Sequence, residues 1–559
     1  MPGATFDHIV VGAGAAGCAL AARLSEPGDR AVLLLEAGGD IVPEPASVRD
    51  PFPISHGDPA FVWPDLLART KAPRPGRTPP PLVRYNQARI VGGGGSLMGM
   101  MALRGLPADY DAWRDAGADG WGWADVLPYF RKLEHDLDFS GAMHGGEGPV
   151  PIRRHARAGW SPFAEAMGAA FETDGYPFIA DLNADFRDGH TVIPHSSLPD
   201  RRMSSAAAYL NDAARSRPNL TIRAGSEAIR LLIENARATG IAAATPRGHE
   251  TFLARNIVLC AGALQTPQLL LRAGIGPAGD LAALGVPVVA DLPGVGGNLY
   301  NHPIVYLSAL VPKLLRQRGG PLTYNALRYS SGLPDCPDHD MLMPITNRTA
   351  WHALGHRIQA VGISVYKSLS TGRVGLKRGD AGLAADIDLG LFADDRDLLR
   401  LVDGFRRAHR YLAQLEARDP RLTIFAPTKA AWMARLARPV WTNALRARAM
   451  ALALDGPRIV RGRALAIAGR DPAALVRDAA ALTDFVYEHA APMYHPAGTC
   501  RIGRDGDPLA VLDSSCRVRG IDGLRVADTS VMPAIIRGNT NIPAIMIAEK
   551  VADMIRADD

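Results

Sequence analysis

The chain has 559 residues, 47% of them apolar and 21% charged, which is the composition of a globular protein with large cores and room for more than one domain. Its 62 basic and 57 acidic side chains leave a net charge of +5, too small an excess to indicate a nucleic-acid partner. Five scattered cysteines without a Cys-x-x-Cys pair indicate neither a disulfide framework nor a zinc site. The sequence shows neither a basic leader nor an apolar run of about 18 residues, which predicts a cytoplasmic protein without a transmembrane segment.

The first forty residues predict a strand, a tight turn, a helix and a second strand. Residues 8–11 are a short apolar run, residues 18–24 are rich in Ala and Leu at helical spacing, and residues 31–35 are apolar without alternation. A strand that is apolar on both faces is typical of a parallel sheet covered on both sides. This part of the chain therefore predicts a βαβ unit.

The turn of this unit carries a Gly-x-Gly-x-x-Gly motif. Gly12 permits the tight turn, Gly14 lets the backbone approach a pyrophosphate, and Gly17 lets helix and strand pack closely. The N-terminus of the helix then stabilises the phosphate charge. Glu36 lies 19 residues after Gly17, at the end of the second strand, where it can accept hydrogen bonds from adenosine ribose hydroxyls. The motif predicts a dinucleotide cofactor but does not by itself separate FAD from NAD.

The rest of the chain alternates between strand and helix patterns and less regular segments. Residues 40–85 are Pro-rich and predict an extended crossing segment, and residues 395–490 are rich in Ala and Arg and predict helices. The other predicted elements are a small meander from 220–223 and 228–233, strands at 256–260, 361–365, 374–376 and 524–528, and helices at 265–273 and 542–555. The pattern indicates a dinucleotide-binding domain assembled from separated pieces, with a second domain formed by the intervening segments.

Residues 88–105 form a second glycine-rich segment. Four consecutive glycines at 92–95 let the backbone pass against a flat or charged ligand without side-chain obstruction. A flexible hinge has the same composition, so the residues alone leave both interpretations open.

Six motifs in the same order resemble those of the glucose–methanol–choline (GMC) oxidoreductases. They are the N-terminal fingerprint, the segment 88–105, and the segments 262–277, 292–299, 495–503 and 526–543. The resemblance covers essentially the whole chain. Through residues 105–113 and 117–123 it is closest to the bacterial 5-hydroxymethylfurfural oxidase-like branch of the family.

The resemblance implies an α/β fold with a Rossmann-like FAD-binding domain and a second, α+β substrate domain that carries an antiparallel sheet. The FAD-binding domain would comprise residues 1–155, 221–303 and 491–559, and the substrate domain residues 156–220 and 304–490. The implied cofactor is FAD, with no metal. The implied cofactor-binding residues are Gly12, Gly14, Ala15, Gly17, Glu36, Ala37, Val91, Gly93, Met98, Gly99, Ala228, Tyr494, Asp528 and Asn541. Asp528 would contact the ribityl–pyrophosphate part, and Ala228 would offer backbone atoms to the adenine.

The resemblance also implies a catalytic pair, His495 and Asn541. His495 opens the His-Pro-Ala-Gly-Thr-Cys run and would be the base, and Asn541 would take the position of the family's His or Asn partner. A neutral imidazole can accept the alcohol proton while a hydride leaves for flavin N5, which predicts an ionisation near 6–7.5. His302 and Asn298 also lie in a family motif, and we interpret them as structural.

Met98 departs from the family pattern, which usually has Asn or His at this position beside the flavin. A thioether cannot donate a strong hydrogen bond, so this flavin contact is in question. No His stands in residues 88–105, and we therefore expect FAD to be bound without a covalent link.

The implied function is oxidation of a primary, aromatic or furanic alcohol to its aldehyde, with oxygen as acceptor and hydrogen peroxide as product. Three alternatives stay open: a dehydrogenase of the same fold that uses a quinone or another carrier, a flavin lyase or photodecarboxylase, and an FAD-stabilised binding protein without turnover. The expected partners are a small alcohol and the electron acceptor, and the oligomeric state is open. For the Arg-rich stretch 435–477, a solvated helical face, a lid and a membrane-contacting surface stay open.

Overall fold

The structure is a computed structural model that describes residues 5–316, 320–380, 382–428 and 435–558. Part of the predicted helical region, residues 429–434, lies outside these ranges. No helix among the described residues is both long and apolar enough to cross a membrane.

The described strands are, in chain order, β1 (Thr5–Val11), β2 (Val32–Leu35), β3 (Leu67–Lys71), β4 (Leu82–Arg84), β5 (Glu134–Asp136), β6 (Val150–Arg154), β7 (Phe178–Ile179), β8 (Gly189–Val192), β9 (Pro194–Ser196), β10 (Leu220–Arg223), β11 (Glu227–Glu234), β12 (Arg237–Thr245), β13 (Gly248–Leu259), β14 (Ile275–Gly276), β15 (Ala290–Asp291), β16 (Pro303–Leu310), β17 (Thr323–Tyr329), β18 (Met341–Thr346), β19 (Ile358–Val365), β20 (Arg373–Gly379), β21 (Gly382–Leu391), β22 (Thr423–Pro427), β23 (Gly469–Arg470), β24 (Ala491–Pro492) and β25 (Leu524–Val526).

The described α-helices are α1 (Ala15–Ser25), α2 (Ala46–Arg49), α3 (Gly94–Leu97), α4 (Pro107–Asp115), α5 (Trp123–Leu133), α6 (Pro162–Thr173), α7 (Ser205–Tyr209), α8 (Asp212–Arg215), α9 (Gly262–Arg272), α10 (Ala278–Leu284), α11 (Asp395–Arg418), α12 (Trp441–Leu454), α13 (Arg458–Ala468), α14 (Pro472–Arg477), α15 (Ala479–His489) and α16 (Asn541–Asp558).

The first large sheet has the order β10-β2-β1-β13-β12-β11, with β25 also paired to β13. The strands β10, β2, β1, β13 and β25 run parallel, and β11 and β12 extend the sheet as an antiparallel meander. All four residues of β2 are buried, which is the continuous apolar pattern of a parallel strand covered on both faces. The separated pieces of sequence therefore meet in one Rossmann-like sheet, as the fold prediction required.

One predicted element has a different partner. The sequence analysis placed residues 220–223 in a meander with 228–233, but β10 pairs parallel with β2 at the edge of the sheet, Leu220 opposite Val32. The meander instead joins β11 and β12, with Glu227 opposite Ala244. Short alternating strands carry no information about their neighbour, because pairing is decided by the chain's course between them.

The second large sheet contains β23-β22-β16-β19-β18-β17-β8-β7, with β24 on β16, and is antiparallel except at β7 and β8. The amphipathic helix α11 covers it, burying Leu401, Phe405 and Leu412 in the same core as Leu307 and Ile363. This is the antiparallel sheet expected for the α+β part of the fold. The residue limits of the two predicted domains stay a prediction.

A buried ionic cluster joins β5, β6 and the loop that connects them. His144 Nε2 lies 2.6 Å from Asp181 Oδ2 and its Nδ1 lies 3.0 Å from Asp136 Oδ2. Arg154 pairs with both of these carboxylates at 2.8 and 2.9 Å, and Arg104 pairs with Glu134. The surrounding carboxylates raise the pKa of His144 to about 10, so the ring is an imidazolium. Three cationic side chains thus balance three carboxylates, and the cluster is a structural ion network.

Candidate active site

A single cleft opens where the parallel strands of the first sheet end. Gly12 follows β1, Glu36 follows β2, Ala261 follows β13, and Asp528 follows β25, and all of them line it. The lining includes Gly12 and Gly14 of the fingerprint as well as His495, so one cleft offers positions for a dinucleotide and for a substrate. The carboxyl ends of strands in an open α/β sheet are where ligands bind.

The fingerprint turn leaves space for a ligand at one glycine and none at the other two. A Cβ on Gly12, which has φ +99°, would lie 2.6 Å from the Cys260 carbonyl oxygen, and one on Gly17 would lie 1.8 Å from the Gly12 carbonyl oxygen. A Cβ on Gly14 would meet no protein atom within 4 Å. The open side of Gly14 therefore faces the cleft. Because α1 has neither a side-chain cap nor an acid in its first turn, its N-terminal amides are available to a pyrophosphate.

Glu36 connects this turn to the end of β2. Its two carboxylate oxygens accept hydrogen bonds from Ala13 N at 2.9 Å and from Gly38 N at 2.7 Å. The side chain is 8% exposed and lines the cleft, and burial raises its pKa. Each carboxylate oxygen retains acceptor capacity, so a ribose hydroxyl can bind as well. Glu36 thus braces the turn and keeps acceptor capacity for a ligand.

The second glycine-rich segment packs directly on the fingerprint. A Cβ on Gly93 would lie 2.7 Å from Gly14 Cα, and one on Gly95 would lie 3.2 Å from Asn541 Oδ1. Gly94 opens the one-turn helix α3, which ends before Met98. The glycines are needed for close backbone approach at the cleft wall, and this geometry favours the ligand interpretation over the hinge.

Asp528 is held by the N-terminus of α9 and by its own turn. Its Oδ2 accepts from Gly262 N at 2.8 Å and from Thr266 Oγ1 at 2.6 Å, and its Oδ1 accepts from Ser530 N at 2.8 Å. Burial raises its pKa. The carboxylate therefore fixes β25 against α9 at the wall of the cleft.

Most of the predicted cofactor-binding residues line the cleft. They are Gly12, Gly14, Ala15, Glu36, Ala37, Gly93, Met98, Gly99, Ala228, Tyr494, Asp528 and Asn541, together with His495. Gly17 and Val91 lie behind the wall: Gly17 packs α1 on the turn, and Val91 is buried in the core. Their part is to shape the wall rather than to touch a ligand.

His495 lines the same cleft, in a corner formed by four segments of the chain. Its backbone N donates to Asn301 Oδ1 at 3.2 Å. Its ring Nδ1 is 2.9 Å from His302 Nδ1, and its Nε2 is 3.0 Å from Asn539 Nδ2. Desolvation lowers the pKa of the ring to about 4, below the 6–7.5 expected from the sequence. His495 is therefore a neutral imidazole throughout the neutral pH range.

The hydrogen bonds of His302 determine which nitrogen of His495 carries the proton. His302 Nε2 lies 3.1 Å from the Ile536 carbonyl oxygen, which can only accept, so Nε2 is the protonated nitrogen. Burial lowers the pKa of His302 well below its usual value, so its Nδ1 is an acceptor. His495 Nδ1–H then donates to it, and the lone pair of His495 lies on Nε2. The chain thus fixes the basic nitrogen on the side of Asn539.

Tyr366 fixes the orientation of the Asn539 amide in the same way. Its hydroxyl donates to Asn539 Oδ1 at 3.1 Å, which turns the amide N–H toward His495 Nε2. Burial raises the pKa of Tyr366, so the hydroxyl keeps its proton. The ring also stacks on His302 with centroids 4.8 Å apart and planes 9° apart. Four side chains therefore hold one another in a defined pattern of donors and acceptors.

The structure places a second asparagine next to His495, while the predicted catalytic pair of His495 and Asn541 stays a prediction. Asn541 lines the cleft, but its amide lies against Gly95, and the amide that contacts His495 is that of Asn539. Asn541 is the first residue of α16, so the two asparagines, although two residues apart, project from different backbone conformations. His302, which the sequence analysis interprets as structural, holds the ring of His495 through the contact between their Nδ1 atoms.

The lining of the cleft combines charged and apolar side chains. Its acidic and basic residues, apart from His495, are Glu36, Glu227, Arg272 and Asp528, and Glu36 lies beside the fingerprint turn, at what we call the dinucleotide end. Its apolar side chains include Trp63, Met98, Met101 and Met493. The described side chains that hydrogen-bond His495 are those of Asn301, His302 and Asn539, and none of them is ionised. Such a corner is suited to an uncharged, flat substrate.

Both the N-terminal and the C-terminal part of the chain are similar to one known family. The family model described as GMC oxidoreductase matches residues 6–304 with its N-terminal part and residues 368–548 with its C-terminal part. The chain is 38% identical to 5-(hydroxymethyl)furfural oxidase of Methylovorus sp. (strain MP688), over 98% of both chains. It is 34% identical to an oxygen-dependent choline dehydrogenase of Yersinia pestis bv. Antiqua (strain Antiqua), over 99% of this chain and 94% of that one. Its structure is similar to that of pyridoxine 4-oxidase from Mesorbium loti, with a TM-score of 0.77, 28% identity and 99% of both chains covered.

Proposed function

The chain belongs to the GMC oxidoreductases, FAD-dependent enzymes that act on CH–OH donors, and from this premise we propose that it oxidises an uncharged primary alcohol, aromatic or furanic, to the aldehyde with oxygen as acceptor and hydrogen peroxide as product. The observation that carries the proposal is the neutral His495, whose described ring contacts are uncharged and which lines the same cleft as Met98, Met101 and Met493.

The residues of the dinucleotide end fit FAD. Gly14 and the free N-terminus of α1 would hold the pyrophosphate, Glu36 the adenosine ribose, and the backbone around Gly93 the flavin-bearing half. When bound, FAD supplies the acceptor for the hydride that leaves the alcohol carbon. We infer that it is held without a covalent link. Acid precipitation should leave the yellow chromophore in the supernatant, and flavin retained in the pellet would contradict this.

His495 and Asn539 would act on the alcohol oxygen. The hydroxyl donates its hydrogen bond to His495 Nε2 in place of the Asn539 amide, and the displaced amide N–H then donates to the alcohol oxygen. As the hydride leaves the carbon, the hydroxyl proton moves to Nε2. His302 accepts the hydrogen bond of Nδ1–H throughout, so the positive charge that develops on His495 is oriented and stabilised.

An anaerobic substrate panel tests the proposal. We expect 5-hydroxymethylfurfural and benzyl alcohol to bleach the flavin of the purified holoenzyme, and choline to do so at least about a hundredfold more slowly, because the described corner offers no carboxylate to a quaternary ammonium. Faster bleaching by choline would refute the uncharged substrate class. If no alcohol bleached the flavin, the function would be better explained as that of a lyase, a photodecarboxylase or a binding protein.

The electron acceptor is tested separately. With a reactive alcohol and air, we expect one hydrogen peroxide per aldehyde formed, since each alcohol oxidation releases two electrons to oxygen. Aldehyde formation that requires an added quinone or dye, with little peroxide in air, would identify a dehydrogenase of the same fold.

A further inference from the structure

The helical pair α12–α13 lies at the edge of the second sheet, away from the residues described so far. Its apolar contacts with the sheet come from Leu454 and Leu465, which share a core with Leu310 on β16 and Phe425 on β22. The buried residues of α12 are Asn443, Ala447, Ala451 and Leu454, at spacings of four, four and three. One stripe of this helix therefore faces the protein, as in any amphipathic surface helix.

The opposite stripe of α12 is also apolar. Trp441, Leu445, Arg448 and Leu452 follow one another at spacings of four, three and four, and we call them the outward face. Trp441 is 74% exposed, Leu452 64% and Leu445 58%. Such a helix normally presents polar residues to water, so an apolar outward face indicates a contact that the isolated chain does not make.

The neighbouring segments add to this exposed apolar surface. Ile467 on α13 is 72% exposed, and Leu314, in the 3-10 helix Lys313–Leu315, is 74% exposed. This short helix adjoins the end of α12, where Arg316 pairs with Asp455. Five of the six most exposed large apolar side chains among the described residues thus belong to this one region.

The same segment is strongly basic. Residues 435–470 contain eight arginines and a single acid, Asp455, which is paired with Arg316 and Arg357 from outside the segment. Arg435, Arg438, Arg446, Arg448 and Arg463 are exposed. The chain as a whole carries a net charge of only +5, so the excess of seven in this segment is a local concentration of positive charge.

We propose that the outward face and its arginines bind an anionic phospholipid surface. Guanidinium groups pair with headgroup phosphates, and Trp and Leu side chains enter the boundary between headgroups and acyl chains. A second copy of the chain fits less well, because a twofold contact would bring two equally positive segments together. Since no described helix can span a membrane, the attachment is peripheral.

Vesicle sedimentation tests this with the holoenzyme. We expect it to sediment with vesicles of phosphatidylcholine and phosphatidylglycerol at 7:3, to stay in solution with pure phosphatidylcholine, and to be released by 0.5 M NaCl. The emission of Trp441, obtained as the difference between parent and Trp441→Phe, should shift to shorter wavelength on the anionic vesicles only. Equal partition to both vesicle types, or no partition to either, would overturn the proposal.

Matched variants distinguish binding through this surface from non-specific adsorption to vesicles. Trp441→Ser, Leu445→Ser and Leu452→Ser combined should lower the partition coefficient at least about tenfold, as should Arg446→Gln, Arg448→Gln and Arg463→Gln combined. The apolar control is Val288→Ser, Leu399→Ser and Leu509→Ser, and the charge control is Arg187→Gln, Arg255→Gln and Arg373→Gln, all at exposed positions elsewhere. Both controls should bind like the parent.

Two further measurements test whether a second copy of the chain covers the outward face and whether the variants keep their activity. A dimer in light scattering that the Trp441 triple variant converts to monomer would show that a second copy covers the face, and would overturn the proposal. Turnover of a water-soluble alcohol by both triple variants should match the parent, because none of these residues lines the cleft. The membrane result is therefore independent of whether the proposed alcohol chemistry is correct.

Discussion

Two histidines of this protein are similarly buried and have opposite charge states. His495 is 8% exposed and His144 is 5% exposed. The ring nitrogens of His495 contact another neutral imidazole and an amide, and its pKa is lowered to about 4. Those of His144 contact carboxylates, and its pKa is raised to about 10. Burial alone does not decide protonation; the charge of the partner does. Only the neutral ring can act as a base. His495 can therefore be a general base, whereas His144 is a structural ion-pair partner.

Removing the base should produce the largest effect. We expect His495→Ala to slow anaerobic flavin reduction by at least about a hundredfold, the usual contribution of a general base. The yellow spectrum should persist, because the described hydrogen bonds of His495 do not involve the fingerprint turn or Glu36. In the folded fraction of His144→Ala, the same rate constant should match the parent. Near-parental reduction by His495→Ala would remove the proposed alcohol mechanism.

Removing the imidazolium should instead affect stability. We expect His144→Gln to lower the free energy of unfolding by about 3 kcal/mol at pH 6, because the change leaves buried carboxylates without their cation. The folded pKa of about 10 lies above the unfolded value of about 6.5, so the stabilisation is complete below pH 6.5 and is lost as pH rises through 10.

The measurement is the thermal midpoint of parent and variant from pH 6 to 10.5. The difference between them should be largest at pH 6 and should shrink toward pH 10.5. As a control, His339→Gln removes a histidine that pairs with Asp188 but is about one-third exposed, and it should shift the midpoint much less. A pH-independent difference for His144→Gln would show that its ring is not charged.

The two asparagines sharpen the assignment around His495. Asn539→Ala removes the amide that contacts Nε2, and we expect about a tenfold slower flavin reduction, the equivalent of one hydrogen bond to the reacting oxygen. Asn541→Ala removes an amide that lies against Gly95, and should leave this rate constant within about threefold of the parent. Stopped-flow reduction of both variants with the same alcohol decides between them. A larger effect for Asn541 would restore the pair that the sequence indicated.

These sites also show how far sequence reasoning reaches. The fingerprint turn and Glu36 lie within one βαβ unit, so their spacing predicted the parallel pairing of β1 with β2 and placed the cleft at the carboxyl ends of these strands. The corner around His495 is assembled from residues far apart in sequence, His302, Tyr366 and Asn539. The sequence predicted a helix from residue 542, one residue after the start of α16, but only the three-dimensional structure shows that Asn539 lies next to the base. The pKa values could not be predicted either, because they depend on these contacts.

His302 should have a smaller effect that depends on hydrogen-bond chemistry. His302→Leu leaves the Nδ1–H of His495 without an acceptor, so the ring can turn or change tautomer, and we expect about fivefold slower flavin reduction. His302→Gln keeps an acceptor oxygen and should recover much of the rate. The informative measurement is the ratio of the flavin-reduction rate constants of the two variants. If His302 only filled space, Leu and Gln would give similar rate constants.

The smallest expected effect is that of pH on the parent reaction. A base of unperturbed pKa would make flavin reduction rise through an ionisation near 6–7.5, because only the neutral ring accepts a proton. Desolvation in the corner lowers the pKa of His495 to about 4, so the ring is already almost entirely neutral at pH 5.5. We therefore expect the limiting rate constant for reduction to change by less than about 20% between pH 5.5 and 8, and to fall only as pH approaches 4. In His302→Leu the loss of a fixed tautomer should change the size of this rate constant but not introduce an ionisation near neutrality, since the ring stays buried.

A clear step between pH 6 and 7.5 in the parent would mean that the corner is more hydrated, or more negatively charged, during the reaction than its contacts indicate. The contrast between the neutral His495 and the charged His144 would then hold only for the resting protein.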